Sequence, residues 1–171
     1  KTERESLEEV LNKIIQTSNF TAWEIDHHRS YQPGVPKAHY KFSFNTKQNG
    51  SGTILLDILI EDSIYPEKIE IPIKSKWIET EKETKVTVPT INSITGDKLT
   101  VFAPNTIGIP YFKGKDNQPF SMEICKQLFD LSKLFEQITN IEIVAKSYKA
   151  FAEQEIIYRK KIDQECLLTT E

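Results

Sequence analysis

Four charged side chains have the type and placement to do chemistry: Asp57, Lys98, Lys126 and Asp130. Asp57 interrupts the apolar run Thr53-Ile54-Leu55-Leu56-Asp57-Ile58-Leu59-Ile60. A carboxylate inside such a strand is costly unless it is paired, hydrogen-bonded or bound to a cation. Two readings stay open for it. One is a metal-ligand or general-base carboxylate displayed at a cleft, and the other a strand-edge aspartate capping a neighbouring loop. Asp130 follows Lys126 by four residues, so both project from the same side of a helix. The plain reading of that pair is a solvated or locally paired carboxylate. His27 and His28 are adjacent and would face opposite sides of a strand. With His39 as the remaining histidine, they make a poor basis for a metal site.

The elements that must position these groups are legible from periodicity. Leu7, Val10, Leu11, Ile14 and Ile15 predict an amphipathic helix over about residues 3 to 17. A strand is expected from Phe20 to His28. Tyr40, Phe42 and Phe44 alternate with His39, Lys41 and Ser43, which predicts a half-buried strand over Ala38 to Asn45. Asn49-Gly50 is a hairpin signal. The run from Thr53 to Ile60 reads as a strand buried on both faces, at the centre of a sheet. Further strands are expected over Lys68 to Ile73, with Trp77-Ile78-Glu79 as an extension, and over Lys85 to Pro89. Ser93 reads as the N-cap of a helix from about Ile94 to Phe102, stopped by Pro104. Asn105 to Pro119 is a loop with a basic Lys113-Gly114-Lys115 tip. Ser121 and Asn140 read as N-caps of helices over Ser121 to Thr139 and Ile141 to Lys161. Ile124, Leu128, Leu131, Phe135 and Ile138 form one apolar face of the first of these. The tail from Asp163 is polar enough to fray. Strands precede helices along the chain, which predicts an α+β fold: a mixed or antiparallel sheet over residues 38 to 90, then a helical C-terminal layer. The expected domains are a sheet-containing part over residues 1–90 and a helical part over residues 91–171.

Composition narrows the function classes. The chain has 171 residues, 38% hydrophobic and 27% charged, enough for a real core. Its net charge of -3 removes a global nucleic-acid footprint but leaves local basic patches open. Cys125 and Cys166 have no metal or redox spacing and fit reduced thiols in a cytoplasmic protein. No run has the length of a membrane span and no signal peptide is visible, so no membrane partner is expected.

Four short motifs occur in a fixed order: Leu56-Asp57-Ile58, Val86-Thr87-Val88-Pro89, Ser93 to Lys98-Leu99, and Gln127-Leu128-Phe129-Asp130-Leu131. Their order and spacing, over roughly residues 38 to 138, resemble the nucleotidyltransferase family of the AbiEii/AbiGii toxins. These are the toxin half of type IV toxin–antitoxin and phage-abortive systems. The resemblance implies a nucleotidyltransferase-like sheet. It also implies transfer of a nucleotide from an NTP to an RNA acceptor, with tRNA reported for some members, and a cognate antitoxin partner. Such chemistry puts negative charge on a phosphate in line with an attacking hydroxyl, and Mg²⁺ held by carboxylates stabilises it. The resemblance makes Asp57 the third carboxylate, as metal ligand or base. It makes Lys98 a compact charge on the triphosphate or leaving group. Asp130, near Lys126, would orient Lys98 or bind the nucleotide, and Lys126 joins the nucleotide-binding set.

The sequence also departs from the family. Members carry an upstream Gly-Gly or Gly-Ser turn followed by an Asp-x-Asp pair. Here Glu24-Ile25-Asp26 has no glycine turn before it. The first Asp of the Asp-Leu-Tyr-Asp run is Gln127, and the basic residue two places before the strand carboxylate is Leu55. The expectation is therefore a chain matching the part downstream of the first motif, or a degenerate relative, inactive by itself. The competing expectations are a non-catalytic binding or interaction domain that keeps the fold, and an unrelated α+β domain.

Overall fold

The computed structural model describes residues 3–27, 35–48, 50–74, 76, 82–113 and 118–168. The chain forms two compact units, Lys1–Asp62 with Lys161–Glu171, and Ser63–Lys160. The fold class is α+β, with strands leading and helices following.

In the first unit, helix α1 (Glu3–Thr17) precedes strands β1 (Phe20–Ile25), β2 (Lys37–Asn45) and β3 (Ser51–Leu59). The three strands form an antiparallel sheet in the order β1-β2-β3. Alternation in β2 works as the sequence predicts: Ala38, Tyr40 and Phe42 are 2%, 0% and 4% exposed. They pack with Leu11 of α1, and Leu7, Ile14, Ile15, Trp23, Ile25, Leu56 and Ile58 close around them. The opposite face of the sheet carries His39 and Lys41. Thr46 and Gly50 close the β2–β3 hairpin through Thr46 N to Gly50 O at 2.9 Å.

β3 corrects the expectation of a central, doubly buried strand. Among the described residues it is the edge of its sheet, and β2 is central. Leu56 and Ile58 join the core, whereas Leu55 and Leu59 are 53% and 48% exposed. An apolar run sets strand propensity but does not fix how many neighbours the strand has. Nor do residues 38 to 90 make one sheet among the described residues. Strands β4 (Lys68–Pro72) and β5 (Lys85–Pro89) pair with each other as a two-stranded ribbon. Trp77 to Glu79, the expected extension, lie outside the described residues.

In the second unit, β4 and β5 lead into helix α2 (Ile91–Leu99), which tightens into a 3₁₀ turn over Thr100–Phe102. Strands β6 (Phe112–Lys113) and β7 (Gln118–Pro119) pair antiparallel, and Gly114 and Lys115 of the basic tip lie outside the described residues. Helix α3 (Ser121–Phe135) follows, and α4 (Ile141–Leu168) begins in this unit and ends in the segment counted with the first. α4 runs past Asp163, where fraying was expected.

The caps differ from expectation in two of three places. Thr90, not Ser93, caps α2, accepting from Ser93 N. Ser93 is fully buried in the first turn instead. Ser121 is the first residue of α3, whose cap position, Phe120, makes no side-chain bond. Asn140 does cap α4, accepting from Glu142 N at 3.0 Å and Ile143 N at 3.3 Å. α3 also ends earlier than expected, and its apolar face is only partly covered. Leu131 is 4% exposed, but Leu128 and Phe135 are 59% and 51% exposed.

Candidate functional site

Helix α2 is the framework on which a site is built. It is locked at its start by buried polar groups. Asn92 Oδ1 accepts from Thr139 N at 3.0 Å and Asn140 N at 3.1 Å, joining α2 to the turn before α4. Ser147 Oγ of α4 donates to Ser93 O at 2.6 Å. Gly96 lies so close to α4 that an added Cβ would meet Val144 O and the Ser147 Cβ. Small residues on the facing helices permit this backbone approach, and the rotation of α2 about its own axis is thereby fixed.

That rotation sends consecutive residues to different neighbours, since a helix turns about 100° per residue. Lys98 faces α3. Its Nζ donates to Gln127 Oε1 at 3.1 Å and to Asp130 Oδ2 at 3.0 Å. Gln127 and Asp130 are three apart on α3 and so share a face, and Leu131 anchors that helix in the core. The ion pair is partly open, at 30% exposure for Lys98 and 36% for Asp130. The carboxyl–amide fork fixes where its ammonium sits while leaving it open to solvent.

Asp97 faces the other way. Its Oδ2 accepts a hydrogen bond from Tyr65 Oη at 2.5 Å. The Tyr65 ring rests against Phe151 of α4, centroids 4.6 Å apart. Burial raises the Asp97 carboxyl above its ordinary range, while the Tyr65 hydrogen bond and the Lys98 charge oppose the rise. The Tyr65 phenol is pushed well up by burial, then by its bond to Asp97 and the carboxylate's charge, so it stays protonated.

The structure thus brings together two of the sequence-predicted residues, Lys98 and Asp130, although they are 32 positions apart. Asp130 turns to Lys98 of α2, and Lys126 is exposed on α3. Asp57 belongs to the first unit, on the outer face of β3, with its side chain 53% exposed. Its Oδ1 lies 2.6 Å from Nδ1 of His39, its register partner on β2. On the same face, Lys41 Nζ reaches Asp26 at 3.2 Å and Glu24 at 3.9 Å.

The magnesium implied by the resemblance wants several oxygen ligands. Asp57 offers one carboxylate, shared with His39. Among the described residues no group of three or more His, Cys, Asp or Glu could hold a metal ion. These residues alone do not fit a complete Mg²⁺ site. Three contributors escaped the sequence reading as partners: Gln127, Tyr65 and Asp97. Gln127 carried a usable signal, since it lies one turn before Asp130. Tyr65 carried none, because no local period links it to Asp97, 32 residues away.

No helix among the described residues is long and apolar enough to cross a membrane. No curated protein and no solved structure matches the chain. A family model described as nucleotidyl transferase AbiEii toxin, type IV TA system, matches residues 1–166. With nearly the whole length matched, the chain belongs to the AbiEii nucleotidyl transferase toxin family of type IV toxin–antitoxin systems.

Proposed function

We propose that this chain contributes the carboxylate strand and the lysine helix of a metal-dependent nucleotidyltransferase. It transfers a nucleotide from an NTP to an RNA acceptor, with tRNA the first candidate. It acts in the cytoplasm as the toxin component of a toxin–antitoxin or abortive-infection system, opposed by a cognate antitoxin. The observation that carries the reading is the Lys98 ammonium fixed by Gln127 and Asp130 across two helices, in a chain of this family.

In this reading Lys98 is the cation that meets the triphosphate. A lysine is a compact point charge, so its placement rests on the groups that hold it. Asp130 and Gln127 do that, and the exposed Lys126 adds positive charge on the same helix. Asp57, on the outer face of β3 in the first unit, acts as a metal ligand or as the base that takes the acceptor's hydroxyl proton.

A second reading, a non-catalytic interaction domain, draws support from the first unit. There Asp57 and Asp26 are turned to His39 and Lys41. Both readings are tested by incubating the protein with Mg²⁺, labelled NTPs and total tRNA. Label transfer that disappears in Lys98→Ala and in Asp57→Ala supports the enzyme. NTP binding lost in Lys98→Ala, with no transfer by the wild type, supports the binding domain. If the folded chain neither binds NTP nor transfers label, both readings fall.

A further inference from the structure

Helix α3 has a second surface, opposite the side by which it is anchored. Met122, Lys126, Phe129 and Lys133 recur at steps of four, three and four, which places them on one face. Leu131, the buried anchor, lies on the other side of the helix. The face is open to water. Met122 and Phe129 are 78% and 64% exposed, and Lys126 and Lys133 are exposed between and beyond them. Apolar and cationic side chains therefore alternate along it. Lys133 has Glu136 as its partner at 2.8 Å, a surface pair of the kind that contributes little and gives way readily.

This alternation says what the face fits. The cores of protein interfaces are depleted in lysine. A ring flanked by lysines is what a single nucleic-acid strand uses, since its bases stack on the ring and its phosphates meet the cations. The Lys98 clamp borders the face. Asp130 follows Phe129 by one residue, about 100° further round the helix, and holds the Lys98 ammonium at 3.0 Å. We propose that this face of α3 binds a single-stranded segment of the RNA acceptor, with a base stacked on Phe129 and backbone phosphates on Lys126 and Lys133, beside the Lys98 clamp. The assignment rests on the reading of the chain as a transferase acting on RNA, and goes beyond it by giving the acceptor a surface.

The probe is a fluorescein-labelled single-stranded RNA of about twelve nucleotides, long enough for a site of this kind. Binding is read by anisotropy with no NTP and no Mg²⁺ present. The wild type should bind it, and Phe129→Ala should weaken binding by about tenfold, the loss expected of one base stack. Phe129→Trp should keep the affinity within about twofold, because the aromatic face is what is needed. Lys133→Gln should flatten the slope of log affinity against log salt by about 0.7, the share of one phosphate contact with a single strand. Duplex RNA of the same length should bind more weakly, because its bases are not free to stack. Phe129→Ala that binds as the wild type does, or duplex held as tightly as the single strand, overturns the inference, since charge alone then accounts for binding. A wild type that binds no RNA also overturns it and leaves the face to a protein partner. Should Phe129→Ala lose its circular dichroism spectrum, Phe129→Leu decides by the same reading, as it fills the position without a ring. RNA bound as described by a wild type that neither binds ATP nor transfers label upholds the face and sinks the transferase reading. Label transfer by the wild type, with RNA binding unmoved in Phe129→Ala, does the reverse.

Discussion

Lys98 and Asp130 meet at 3.0 Å across two helices, and both remain about one-third exposed. Partly exposed ion pairs contribute little to stability, with a median of about 0–1 kcal/mol. Asp130→Ala should therefore lower unfolding free energy by less than about 1 kcal/mol. The difference should shrink in about 1 M salt, where the screening length falls to about 3 Å. Urea denaturation at two salt concentrations checks this, and a loss of several kcal/mol would show the pair to be part of the core. A large loss of nucleotide binding beside a small loss of stability is the pattern a functional pair gives.

Gly96 tests the helix contact that orients Lys98. On an isolated helix Gly→Ala stabilises by about 0.5–1 kcal/mol. Here the new Cβ would meet Val144 O, the Ser147 Cβ and Tyr148 N. Two of these three are backbone and cannot step aside cheaply. Gly96→Ala should therefore destabilise by about 1–3 kcal/mol or more, as overpacking does. The sign alone, read from a thermal or urea melt, decides whether α2 and α4 touch as described.

Asp97 should leave a mark on the pH dependence of stability. Its carboxyl is raised above its ordinary value of 3.8, chiefly by burial. Between that value and the raised one, the folded state holds more protons than the unfolded state. Stability from this group is thus fully present below 3.8 and is lost as pH rises through the raised value. Asp97→Asn carries no titrating group and should lack this decline. Urea midpoints of both proteins from acid to neutral pH should diverge in favour of the variant as pH rises. Parallel curves would mean that Asp97 is not buried as described.

How far the sequence could be read differs between the two units. Tyr40 and Phe42 alternate with His39 and Lys41, and the sheet face follows directly, because a strand has a period of two. The run around Asp57 misled because apolar content reports propensity, whereas edge or centre depends on which segments pair with it. Ser93 looked like a cap because serine favours that place, but Thr90, three residues earlier, takes it, and the Ser93 hydroxyl accepts from Glu67 N instead. The Lys98–Asp130 contact joins two helices across a loop. No local spacing encodes it, and the family resemblance supplied the association. Tyr65 and Asp97 are the clearest case of a relation that only the folded chain displays.

Tyr40 offers a test of the first core. It is fully buried, and among the described residues its hydroxyl has no hydrogen-bond partner. A buried polar group left unsatisfied costs about 1–3 kcal/mol. Tyr40→Phe keeps the ring, which sits edge-on to Trp23 with centroids 5.6 Å apart, and removes the orphan oxygen. The variant should be at least as stable as the wild type, by about 1 kcal/mol in the favourable direction. A clear loss of stability in a chemical denaturation curve would reveal a partner for that hydroxyl.

The β3 edge carries the last prediction. A long edge strand with apolar side chains is a template for pairing with another chain. Among the described residues β3 is such an edge, with Ile54, Leu55 and Leu59 exposed by 52%, 53% and 48%. The purified protein should therefore associate as its concentration rises. Leu55 lies opposite Lys41 in the sheet register. A lysine at position 55 would put like charges face to face, so glutamate is the better gatekeeper. Leu55→Glu adds a charged edge and a cross-strand partner for Lys41, a pairing worth roughly 0.2–1 kcal/mol. It gives up little burial, because Leu55 is already half in water. Static light scattering across a concentration series should show less association for Leu55→Glu, with an unchanged circular dichroism spectrum. If association persists unchanged in the folded variant, the β3 edge is not the surface through which the chains meet.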